Sequence, residues 1–65
     1  MSQEYPLMTI EQVAQFLQLQ PETVRTMARH GRIPALRVGR LWRFDRRQIE
    51  LWLVAQSTKT EEVDS

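Results

Sequence analysis

Ile10, Val13, Ala14 and Leu17 recur at i, i+3, i+4 and i+7, the spacing that puts apolar side chains on one face of an α-helix. Thr9-Ile10-Glu11-Gln12 opens the run as a capping box, in which the threonine hydroxyl serves the Gln12 N–H and Gln12 reaches back. A first helix is therefore predicted over residues 10–18. After Gln18-Leu19-Gln20, Pro21 suits the first position of a second helix. Its inner stripe is Val24, Met27 and Ala28, and His30 followed by Gly31 marks its end. The opposite face carries Glu22, Arg25, Thr26 and Arg29, with Thr23 on the flank. Two amphipathic helices joined this closely form a helix-turn-helix in the literal sense.

The period then shortens to two. Residues 35–44 alternate around a single glycine, Gly39, which predicts a β-hairpin. Only one register makes the faces agree: it takes Gly39-Arg40-Leu41 as the loop and pairs Val38 with Trp42, Arg37 with Arg43, and Leu36 with Phe44. Leu36, Val38, Trp42 and Phe44 then share the inner face, and Arg37 and Arg43 the outer one. Asp45 caps a third helix, with Gln48 three residues on and an inner stripe of Ile49, Trp52 and Leu53. Leu51 and Val54 fall off that stripe. Residues 1–6 read as a flexible arm, 7–56 as the folded domain, and 57–65 as a disordered acidic tail. The expected class is mainly α with a small β-hairpin, in the order α-α-β-β-α.

Composition narrows the choice of function. Sixty-five residues make one small domain, and a chain this short buries about 60% of its unfolded surface. It has no cysteine and one histidine, so neither a disulfide nor a thiolate metal site supports the core. No signal peptide or membrane-length apolar run is visible, and a cytoplasmic, nucleoid-associated protein is expected. No serine has a plausible histidine partner and there is no glycine-rich phosphate loop, so an enzyme is not expected. No cofactor, metal or small-molecule ligand is expected either.

Charge is where the chain departs from an ordinary small domain. The formal net charge of +1 conceals eight arginines between Arg25 and Arg47 against one acid, Asp45. Elsewhere Lys59 stands alone against seven acids. Arginine presents a planar fork of donors matched to phosphate and to the guanine edge. On the predicted hairpin, Arg37 and Arg43 repel each other unless an anion lies over them. Arg25 and Arg29 at i, i+4 repeat that conflict on the second helix, where Glu22 either relieves Arg25 or accepts from a cytosine amino group. The hairpin pair, with Arg40 at the tip beside it, already favours an anionic partner over a solvated face. Arg25, Thr26 and Arg29 alone read as a solvated face, but on the second helix of a helix-turn-helix beside a basic hairpin they favour DNA. Trp42 and Phe44 keep phase with the inner face, which assigns them to the core rather than to base stacking.

The runs TIEQVAQFL, PETVRTMARHGRIPA and RVGRLWRFD, followed by IELWL, resemble the excisionase-type helix-turn-helix domain. That domain is a small relative of the winged DNA-binding domain of mercury-resistance (MerR-like) regulators. The likeness covers residues 7–55 and is most specific from Gly31 through Phe44 to Trp52. It implies a winged helix-turn-helix whose second helix enters the major groove of double-stranded DNA. The hairpin wing would touch the adjacent backbone or minor groove. Carried over by position, the helix supplies Thr23, Arg25, Thr26 and Arg29, and the wing supplies Arg37, Arg40 and Arg43. Two departures stand out: Gln20-Pro21-Glu22 is less basic and poorer in hydroxyls than many relatives, and Leu41 occupies a wing position often basic elsewhere.

Two roles suit such a module. One is a recombination directionality factor working with an integrase or a second copy on DNA; the other is a transcriptional regulator. The rival reading is a protein-interaction adaptor that uses the basic face together with Leu51 and Val54.

Overall fold

The computed structural model describes residues 7–59, and the terminal segments expected to be an arm and an acidic tail lie largely outside that range. The chain order is β1 (Leu7–Met8), α1 (Ile10–Leu17), α2 (Pro21–Arg29), β2 (Leu36–Val38), β3 (Leu41–Asp45) and α3 (Arg46–Lys59). Three helices and a small antiparallel sheet result, ordered β1-β3-β2, and the α-α-β-β-α succession fits a winged helix-turn-helix. The first strand has no counterpart in the sequence pattern, because two residues are too few to show a period. α3 runs on through residues 57–59, past the point where the polar composition suggested that order ends.

Local chemistry sets most element ends. Thr9 Oγ1 accepts from the Gln12 N–H at 3.1 Å and Gln12 Oε1 accepts from the Thr9 N–H at 2.9 Å, so the capping box is complete. α1 stops at Gln18, a non-glycine residue at φ 61°, where the Leu19 N–H closes back on the Ala14 carbonyl at 2.8 Å. α2 stops at His30 and Gly31, with Gly31 at φ 67° and the Arg32 N–H bonded to the Met27 carbonyl at 2.8 Å. Asp45 caps α3 by accepting from the Arg47 N–H at 2.9 Å. Gln48 makes no reciprocal bond among the described residues, and the cap residue is itself the ladder partner of Leu7.

One core lies between the sheet and the helices. Val13, Val24, Phe44 and Ile49 are fully buried, with Met8, Ile10, Ala14, Ala28 and Ile33 around them. Leu17, Met27, Ala35, Trp42 and Trp52 pack at its margin. The helical stripes of α1 and α2 are thus as predicted. On α3 the stripe is narrower: Ile49 and Trp52 face inward, but Leu53 is exposed. Its neighbours Leu51 and Val54, off the stripe in sequence, are 59% and 63% exposed.

The hairpin register differs from the one expected. Leu36 pairs with Arg43, Arg37 with Trp42, and Val38 with Leu41, leaving a two-residue turn of Gly39-Arg40. Gly39 has φ 66° and Arg40 has no positive φ, which matches the II′ turn favoured in two-residue hairpins for its twist. Moving one strand by one residue turns its side chains over. Leu36 and Val38 therefore leave the inner face and are 46% and 50% exposed, beside Leu41 at 53%. Arg37 and Arg43 no longer share a face. The face-matching argument failed because a glycine-first turn and its strand twist prevailed over burial of two short-strand residues.

Candidate nucleic-acid interface

Helix α2 offers one surface. Val24 and Ala28 anchor it in the core, with Met27 at the margin, and this turns Thr23 and Arg29 to solvent and leaves Arg25 and Thr26 half-buried on its flanks. Arg25 Nε lies 3.7 Å from Glu22 Oε1, one turn earlier, so Glu22 relieves the Arg25–Arg29 repulsion. Both partners of that pair are substantially exposed, and such a pair contributes little to stability. Gln20 precedes Pro21 without a side-chain cap.

The hairpin offers the second. Arg40 sits at the exposed turn. Arg37 lies across from Trp42, with its guanidinium carbon 4.4 Å from the ring centroid. Arg43 Nη1 donates to the Trp42 carbonyl at 2.8 Å. The shared-face repulsion expected for Arg37 and Arg43 is thereby replaced by two separate contacts, both to Trp42.

Carboxylates neutralise few of these cations. Of the eight arginines, only Arg25 and Arg46 have an acidic partner among the described residues, Arg46 Nε lying 3.1 Å from Glu50 Oε2. Arg46 also stands over the Phe16 ring at 5.3 Å. Arg32 and Arg47, which the sequence pattern left without a role, are exposed and belong to the unneutralised set. Their signal was present in the arginine count, but only structure shows that no acid among the described residues meets them.

A profile of the helix-turn-helix domain matches residues 7–57, a span from β1 into the last turns of α3. The chain belongs to the helix-turn-helix domain family. It is a DNA-binding domain by that membership, with α1 and α2 as the paired helices. Neither a curated protein nor a solved structure matches the chain.

An open groove of about 440 Å³ is lined by Leu7, Met8, Gln12, Gln15, Phe16 and Arg46. Two of its polar groups are already engaged, Gln12 in the α1 cap and Arg46 with Glu50. Among the described residues no cluster of three histidine, cysteine or acidic side chains could hold a metal, and no helix is long and apolar enough to cross a membrane.

Proposed function

We propose that this domain is a sequence-preferring binder of double-stranded DNA in the manner of a winged helix-turn-helix. α2 enters the major groove and presents Thr23, Arg25, Thr26 and Arg29 to base edges and nearby phosphates. The wing sets register through Arg37, Arg40 and Arg43 on the backbone or in the minor groove, contacts that position rather than specify. The observation that carries this reading is an arginine population retained without carboxylate partners, six of eight among the described residues. Concentrating such charge costs self-repulsion, and a polyanion reverses the sign of that cost.

A module of this size covers roughly 600–1,000 Å² of protein surface on DNA, so a single copy binds modestly and gains from repeated sites or a partner. The settings that suit it are site-specific recombination as a directionality factor beside an integrase, and transcriptional regulation, both in the cytoplasm on the nucleoid. An adaptor role draws support from Leu51, an exposed apolar side chain on α3.

The test is fluorescence anisotropy of a labelled duplex across a salt series, with random DNA as competitor. If about five arginines meet phosphates, log K falls against log salt with a slope near −4 to −5. A signal indifferent to salt, or none with any duplex, would sink the reading.

A further inference from the structure

Trp42 occupies the second position of β3, half-buried against the core margin. Two arginines meet it by different means. Arg37, its partner across the ladder, stacks over the indole at 4.4 Å. Arg43, its neighbour in the chain, is held by the Trp42 carbonyl at 2.8 Å. Neither contact involves an acid. A guanidinium lying on a ring engages its flat face and keeps its edge N–H donors, and one bond to a carbonyl leaves Arg43 most of its own. Both cations are held in place without being neutralised. Arg46, paired with Glu50, shows the alternative.

Direction matters as much as restraint. Cross-strand partners share a face and successive residues alternate, so Arg37 leaves the hairpin on the Trp42 side and Arg43 on the other. Arg40 stands between them at the turn. We propose that the Trp42 ring is the positioning element for Arg37, and that Arg37 and Arg43, the latter held by the main-chain carbonyl of Trp42, leave opposite faces of the hairpin toward phosphates on the two different strands that border one groove. The proposal rests on the duplex-binding reading above. The major groove, about 12 Å wide, admits a two-stranded ribbon; the minor groove, about 6 Å wide, admits only the turn, with the arginines reaching its rims. With the turn inserted edge-on into the minor groove, the two faces of the hairpin look toward its two walls, and a cation on each face meets a different backbone.

The test uses the full chain and a duplex selected from a random pool, with single phosphates neutralised as methylphosphonates strand by strand. Arg37→Ala should lose its response to neutralisation on one strand, and Arg43→Ala on the other. Trp42→Phe keeps a ring and should bind within about twofold of the parent, whereas Trp42→Leu should lose about two- to fivefold, a loss that disappears in an Arg37→Ala background. Should Trp42→Leu fail to fold, the strand-by-strand phosphate maps of Arg37→Ala and Arg43→Ala decide. Both arginines mapping to one strand, or a tryptophan effect unchanged by removal of Arg37, would overturn the proposal. Parent binding that ignores every phosphate would instead overturn the duplex reading itself.

Discussion

Arg37 faces Trp42 across the hairpin, and its guanidinium carbon rests 4.4 Å from the indole centroid. The pairing joins a surface cation to a ring that packs against the core, so wing and core are coupled through one side chain. It also removes a directly opposed pair of like charges, which would weaken a two-stranded ribbon. The turn makes this possible: Gly39-Arg40 as a two-residue connection sets the register that brings Arg37 to Trp42.

That register predicts a cost for Gly39→Ala. A Cβ at Gly39 meets nothing within 4 Å, so space is not the issue. The backbone at φ 66° is, and the strain should lower stability by about 1–3 kcal/mol. Urea unfolding measures it; a synthetic chain with D-alanine at this position should unfold at or above the parent midpoint.

Arginines should divide by their internal partners. Arg40→Ala and Arg43→Ala should each reduce the magnitude of the salt slope of duplex binding by about one. Arg46→Ala should leave the slope nearly unchanged, since its Nε already lies 3.1 Å from Glu50. Equal effects at all three positions would show that internal pairing does not select the contacts.

Gln18→Gly should stabilise the domain. Gln18 ends α1 at φ 61° and ψ 46°, a conformation that costs an L-residue roughly 1–2 kcal/mol and glycine little. Glycine loses more chain entropy on folding, which leaves a gain of about 0.5–1 kcal/mol, read as a rise in melting temperature of a few degrees.

Asp45→Ala should act in the opposite direction. Its carboxylate accepts the Arg47 N–H at 2.9 Å and begins α3, and loss of such a cap costs about 1 kcal/mol. Asp45→Asn should recover most of it in the same thermal melt.

Leu51 separates duplex binding from docking. The side chain is 59% exposed on α3, and Leu51→Ser should leave affinity for bare duplex within about twofold, as surface substitutions away from contacts usually do. A larger loss would place α3 at the DNA or in a contact between copies.

Much of this molecule was legible in the linear pattern. The stripes of α1 and α2, the Thr9–Gln12 box, Gly31 as a helix stop and Asp45 as a cap follow from residues at most a few positions apart, where propensity and spacing act alone. The arginine cluster is legible for the same reason, since charge is a property of composition. Contacts across the chain were not. Pairing of Leu7 and Met8 with β3 depends on an edge that only the folded sheet provides. The hairpin register turned on whether strand twist at a II′ turn or burial of Leu36 and Val38 contributed more, a balance that alternation cannot weigh. Which arginines keep their charge unopposed was likewise decided in three dimensions, because an ion pair needs a carboxylate within reach and not merely nearby in the sequence.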